Sequence, residues 1–229
     1  MHRHFEEELD HLRTRLIRMA SLVDEQVESA ITALFTADEL LARAVIERDR
    51  KVDAFDLKID MQVERIFILA QPVASDLRFN MAVLAINNEL ERVGDIAVNV
   101  AERVHSLKEH KALIDAYPFR EMAEKAHKMF KDAIDSFIAG DAPLAVSVTR
   151  SDDAVDSLER SIFTSLLKEM KDSPSNVEAG AHLFYLLRHF ERLADHATNI
   201  AEDVVFMVEA KLIKHHNNTE NTPSDPTTN

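Results

Sequence analysis

Apolar residues return every three or four positions along nearly the whole chain, which is the period of an amphipathic α-helix. Leu9, Leu12, Leu16, Met19, Val23, Val27, Ala30, Ile31 and Leu34 make the first such run. Thr36-Ala37-Asp38 interrupts it, and Asp38 has the chemistry of an N-cap for the next run, Leu41, Val45, Val52, Phe55, Ile59, Val63 and Ile66. Gln71-Pro72 closes that second helix, because proline disfavours helical geometry in the residue before it. Ser75 or Asp76 is expected to cap a third long helix that fades near His110. The pattern restarts after Tyr117-Pro118, with Pro118 expected in a first-turn position.

The polar positions repeat as well. Glu91-Arg92-Val93-Gly94-Asp95 runs on to Asn99-Val100-Ala101-Glu102, and Glu191-Arg192-Leu193-Ala194-Asp195 runs on to Asn199-Ile200-Ala201-Glu202. Earlier in the chain Ile31, Leu34 and Asp38 match Ile134, Phe137 and Asp141 at an offset of 103 residues, and the last helix matches at 100. Three residues are therefore missing from the second copy around Asp172-Ser173-Pro174. A fixed internal period is the mark of duplication. The expected fold is all-α, two tandem three-helix bundles related by internal duplication, with antiparallel packing enforced by short connections. The first repeat is assigned to residues 1–112 and the second to 113–213. Residues 214–229, rich in Asn, Thr, Pro and Ser, are expected to be a disordered tail.

Composition narrows the function classes. Only three glycines and six prolines occur in 229 residues, which favours helices over a many-stranded sheet. A formal charge of −14 speaks against nucleic acid and anionic membrane surfaces as partners. The absence of cysteine removes disulfides, thiolate metal sites and a cysteine nucleophile. The polar N-terminus is unlike a signal peptide, and no apolar stretch reaches the ~18 residues a spanning helix needs. A cytoplasmic protein without direct membrane insertion is expected. No phosphate-cradling glycine loop, Gly-x-Ser-x-Gly or His-Glu-x-x-His is present, so the chain is not expected to be an enzyme.

The chemistry lies in acids. Glu91, Asp95 and Glu102 share one helix face, and Glu191, Asp195 and Glu202 share its counterpart. A second acidic line on the preceding helix, Asp49, Asp53 and Asp56, is matched by Asp152, Asp156 and Glu159. If these helices are neighbours, the two lines face each other. Converging carboxylates short of arginine call for a cation or for protonation. An all-oxygen donor set suits hard or borderline metals such as iron, zinc or manganese. The candidate ligands are Glu91, Asp95, Glu102, Glu191, Asp195, Glu202, Asp156 and Glu159. The competing reading is a metal-free helical scaffold with solvated acidic faces. A carboxylate-bridged metalloenzyme is a third reading, opposed by Gly94 and Ala194 where a ferritin-type Glu-x-x-His needs histidine. Arg92 and Arg192 are expected in ion pairs. Heptad-spaced His182, His189 and His196 are expected on a polar surface or a subunit contact, with His196, which adjoins Asp195, kept as the lesser alternative of a metal ligand.

The duplicated Glu-x-x-x-Asp, together with Gln71-Pro72-Val73-Ala74-Ser75-Asp76-Leu77-Arg78 before the first copy, resembles the PhoU family of bacterial phosphate-transport accessory and regulatory proteins. The likeness extends over about residues 5–210. It implies two three-helix bundles with pseudo-twofold symmetry, commonly assembled as a homodimer. It also implies metal ions, in some members multinuclear, held at Glu91 and Asp95 and at Glu191 and Asp195. The family's role implies repression of the phosphate-starvation response. The implied partners are the ATPase subunit of a phosphate ABC transporter and a sensor histidine kinase, reached at the inner membrane through protein contacts.

Overall fold

A computed structural model describes residues 2–70 and 74–213, which are almost wholly helical, and no strand occurs among them. The expected disordered tail at 214–229 and the Gln71-Pro72 stop lie outside the described residues. Three long helices come first: α1 (His2–Thr36), α2 (Glu39–Ala70) and α3 (Ala74–Leu107). A 3-10 turn (Lys108–His110) and the short α4 (Lys111–Asp115) lead into α5 (Phe119–Ala139), α6 (Ala142–Asp172) and α7 (Val177–Glu209). Within each half the three long helices pack on one another, and α3–α7 and α1–α5 contacts join the halves. The architecture is two three-helix bundles related by an internal repeat.

The duplication is visible in the buried seams. The buried residues of α2 include Ala42, Val45, Val52, Ile59 and Val63, and their counterparts on α6, Ala145, Val148, Val155, Ile162 and Leu166, are buried as well. The seven-residue spacing of Val45, Val52 and Ile59 is that of a coiled-coil-like seam, in which an alternate position between each pair also turns inward. The turns repeat just as closely. Asp38 accepts hydrogen bonds from the backbone N–H of Leu40 and Leu41 at 3.0 Å, and Asp141 accepts from Leu144 at 2.9 Å. Ala37 (φ +57°) and Gly140 (φ +64°) each end the preceding helix in the left-handed region. The next N–H then reaches back to Ala33 and Ser136 respectively, a Schellman closure.

Two helix starts differ from expectation, α3 by two or three residues and α5 by one. Helix α3 opens at Ala74, so Ser75 and Asp76 lie in its first turn, where the Asp76 charge meets the positive end of the helix dipole. Pro118 is the N-cap residue of α5, its carbonyl accepting from Met122 N–H at 3.1 Å. Helix α4 is too short to show a period and has no counterpart in the sequence reading.

The halves meet about a pseudo-twofold axis. Asp24 of α1 and His127 of α5 are equivalent positions, and they bond each other at 2.6 Å. Arg13 lies over Phe137 and Arg120 over Phe35, so numbers rise on α1 as they fall on α5 and the pair is antiparallel. Helices α3 and α7 cross in the same sense. His196 Nδ1 donates to Glu89 Oε2 at 2.5 Å, and Tyr185 Oη donates to Asn99 Oδ1 at 3.3 Å. The crossing falls close to the buried equivalents Val93 and Leu193. His189 and His196 are consequently buried between the halves, not displayed on a surface for another subunit. Burial works against the Glu89 charge, yet hydrogen bonds from His196 and Asn199 hold its carboxyl below the ordinary glutamate range. His189 packs edge-on to the Tyr185 ring, and burial, with Arg192 and Arg103 nearby, pushes it down to about 4.

Two outcomes are expected. Ala37→Gly, which installs the residue of the second copy, raises stability by about 0.5–1 kcal/mol, and Gly140→Ala lowers it by a similar amount, as read from urea unfolding. No change from either would refute conformational strain at the turn, since a Cβ at position 140 meets nothing within 4 Å. The second outcome concerns pH. The folded pKa of His189 lies below its unfolded value, so the unfolded chain takes up the proton first. Its contribution is intact above about pH 6.5 and is lost as pH falls towards 4, reaching about 3 kcal/mol. His189→Leu should flatten that part of the stability profile; a variant as acid-sensitive as the parent would contradict it.

Candidate metal centre

The inward positions between Val45, Val52 and Ile59 are Asp49 and Asp56. On α6 the same places hold Asp152 and Glu159. All four are half-buried, so each seam carries carboxylates where apolar side chains would pack best. Across the first seam stand Glu91 and Asp95 of α3, and across the second stand Glu191 and Asp195 of α7.

The electrostatics show that each set is one cluster. Burial raises the Asp49 carboxyl above the ordinary aspartate range, and the charges of Asp53 and Asp95 raise it further. Glu91 is raised by burial and by Asp95, Asp56 and Asp53. In the second half burial, then Asp156, Asp195 and Asp153, push Asp152 up to about 6. Glu191 is raised by burial and by Asp195, Glu159 and Asp156. Asp195 is raised by burial and by Asp156, against the opposing pull of His196. Every acid added to a cluster costs the others, because a desolvated carboxylate next to like charge favours its neutral form.

Neutralising partners are sparse. Arg188 lies 3.3 Å from Glu191, whose other oxygen, Oε2, is buried without a hydrogen-bond partner. Arg92 and Arg192 are exposed and form no ion pair among the described residues, contrary to the expectation for them. Among the described residues no three His, Asp or Glu side chains close around one point as a coordination shell. Mutually repelling carboxylates are expected to stand apart in this way. The donor set is nevertheless all oxygen, clustered and under-neutralised, which is the chemistry that a hard or borderline cation satisfies.

The two clusters are equivalent in backbone and unequal in surroundings. Gln26 of α1 donates to Asp49 Oδ1 at 3.0 Å, and Asn87 donates to Asp56 Oδ1 at 2.6 Å and to Asp60 Oδ1 at 3.1 Å. The corresponding residues of the second half are Met129 and Leu187, both buried. Asp152 therefore lacks the amide that steadies Asp49. Gly94 adds to the difference, for a Cβ there would stand 3.4 Å from Asp49 Oδ1 and 3.3 Å from Val52 Cγ1. The second half has Ala194 at that place.

Of the sequence candidates, Glu91 and Asp95 fall in the first cluster, and Glu191, Asp195, Asp156 and Glu159 fall in the second. Glu102 and Glu202 lie two turns further along α3 and α7, about 10 Å from Asp95 and Asp195 along the axes. They do not figure among the acids that perturb either cluster. The sequence reading left out Gln26, Asn87 and Glu89. Gln26 and Asn87 had a signal: each is a polar residue at an inward position of an otherwise apolar helix face.

Comparison with known proteins agrees with the duplicated helical fold. The model of the family described as the PhoU domain matches twice, at residues 16–104 and 119–204. A Pseudomonas putida protein named phosphate-specific transport system accessory protein PhoU homolog is 34% identical over 92% of this chain and 83% of its own length. A protein of the same name from Aquifex aeolicus is 36% identical over 91% of this chain and 94% of its own. The crystal structure of PhoU from Pseudomonas aeruginosa superposes with a TM-score of 0.85 at 34% identity, covering 90% of this chain and all of that one. The phosphate transport system regulatory protein PhoU from Streptococcus pneumoniae gives a TM-score of 0.83 at 27% identity, covering 92% of this chain and all of that one. With both of its halves matched and relatives this similar along almost its whole length, the chain belongs to the PhoU family.

Proposed function

We propose that this protein is a metal-binding regulatory adaptor of phosphate uptake and signalling, not an enzyme. In this reading it works in the cytoplasm as a homodimer. It represses the phosphate-starvation response by contacting the ATPase subunit of a phosphate ABC transporter and a sensor histidine kinase at the inner membrane. The relatives' name, accessory protein of a phosphate-specific transport system, supports the transport setting. Among the described residues no helix is long and apolar enough to cross a membrane, so contact with a transporter would run through protein surfaces.

The observation that carries the metal assignment is the pair of equivalent carboxylate clusters set into helix seams. Asp49, Asp53, Asp56, Glu91 and Asp95 would hold a cation in the first half, and Asp152, Asp156, Glu159, Glu191 and Asp195 in the second. Iron, zinc and manganese suit these donors. A bound cation would supply positive charge that cancels the repulsion across each seam and draws α2 to α3 and α6 to α7. The chain's own part is to keep the carboxylates close and short of arginine, most of them half-buried with Asp53, Asp95 and Asp195 at the exposed rim. The metal-free scaffold is the second reading, favoured by the absence of a closed coordination shell among the described residues.

Elemental analysis of untagged protein and of the double variant Asp95→Asn/Asp195→Asn separates the two. The parent is expected to retain stoichiometric metal and the variant to lose most of it. In chelator the variant should melt at or above the parent, since two repelling charges are gone. Added metal should stabilise only the parent, by about 2.7 kcal/mol at a hundredfold excess over Kd. A parent that retains no metal after reconstitution, with a melting point indifferent to the cation, would leave the bare scaffold.

A further inference from the structure

Helix α2 has an outer face that the fold does not explain. Leu57, Met61 and Ile68 are 63%, 69% and 68% exposed, and their spacing places them on one stripe. Single exposed apolar residues are ordinary, but three in line form a patch of the kind that marks contact surfaces. The duplication supplies an internal control. The equivalent residues of α6 are Arg160, Thr164 and Lys171, on a helix packed in the same way. A polar stripe therefore satisfies this position of the scaffold. The exposed apolar side chains of α6 lie on a neighbouring strip, where Phe163 packs against Phe184.

The stripe borders a groove between α1 and α2 of about 430 Å³. Its wall carries Arg15, Lys58 and Arg65, and Arg18 lines the adjoining hollow. The acids lining the two hollows are Glu8 and Asp10, fewer than the cations. Arg15 is held in place by Gln62 Oε1 at 2.6 Å and the Lys58 carbonyl at 3.0 Å. Arg65 meets Glu8 only at 3.7 Å, while Lys58 and Arg18 pair with no acid among the described residues. Such a cationic groove stands out on a chain of charge −14. Again the second half differs: Arg15 and Lys58 correspond to Pro118 and Ser161.

We infer that the outer face of α2, with its basic groove against α1, docks an acidic amphipathic helix of a partner protein. The apolar edge of that helix would cover Leu57, Met61 and Ile68, and its carboxylates would lie along Lys58, Arg65 and Arg15. This is helix-in-groove recognition with a charged rim. The groove is concave, which suits a helix better than a bilayer plane. Glu64 lies within the stripe on the side away from the groove and confines the acidic edge of the partner to the groove side. The inference goes beyond the adaptor reading and requires neither a cation nor phosphate.

The probe is a fluorescein-labelled Leu/Glu amphipathic helix of about 20 residues, with a Leu/Lys peptide of identical apolar face as its control. Fluorescence anisotropy with the full chain should show saturable binding of the Leu/Glu peptide, weakening as salt rises, and binding of the Leu/Lys peptide at least about tenfold weaker. Leu57→Arg/Met61→Thr/Ile68→Lys borrows the residues of the second half and should weaken binding by at least about tenfold while leaving the thermal melt intact. Lys58→Glu/Arg65→Glu should reverse the preference between the peptides. Equal binding of both peptides, or binding untouched by either variant, would overturn the inference. A dimer that the triple variant dissociates in sedimentation equilibrium would assign the face to a second copy and overturn it too. Binding to phosphatidylserine vesicles that the triple variant abolishes would assign the face to a membrane, with the same result.

Discussion

Carboxylates occupy inward positions of a helix seam in both halves of this protein, and the rest of the structure is organised around that cost. Asp49 and Asp56, with Asp152 and Glu159, interrupt the apolar spacing that would zip α2 to α3 and α6 to α7. A seam so interrupted is weaker where the acids lie. Compensation comes from the flanking layers of Val52 and Ile59 with Val155 and Ile162, which are almost completely buried. The helices exceed thirty residues, so several apolar turns above and below can carry a locally repulsive stretch.

The central pair α3 and α7 also ties one half to the other. Each packs against the outer helices of its own half on one side and against its counterpart on the other. The bond from His196 to Glu89 places an acid–histidine contact only one residue from Asp195 in sequence. Tyr185, His189, Arg103 and Asn99 continue the same polar layer across the crossing. A shift of α7 relative to α6 at the acidic cluster would therefore also move it against α3.

Much of this was legible in the sequence, for identifiable reasons. The long helices, the Asp38 and Asp141 caps and the duplication were readable because each leaves a periodic or repeated signal over many residues. The acids were readable as stripes, but their inward direction was not, since helical spacing fixes a shared face without saying what that face meets. Gln26 and Asn87 were passed over because an amide on an apolar face carries no repeat: the other half has Met129 and Leu187. His189 and His196 were misplaced for the opposite reason. Their heptad spacing gave a clear line on α7, and the line turned out to face α3, a contact between elements about a hundred residues apart. The start of α5 shifted by one residue, within the range over which helix ends are defined, and that of α3 by two or three, since it opens ahead of both polar residues that could cap it.

Gly94 against Ala194 and Gln26 against Met129 are small differences with a large evolutionary reach. A symmetric dimer of one three-helix unit would carry two identical sites, and every substitution would alter both at once. Fusing the units into one chain removes that restriction. Each half can then change its own cluster while the shared axis through Asp24 and His127 keeps the scaffold paired. The result is the asymmetry of a heterodimer encoded by a single chain: two acidic clusters in unequal surroundings on one paired scaffold.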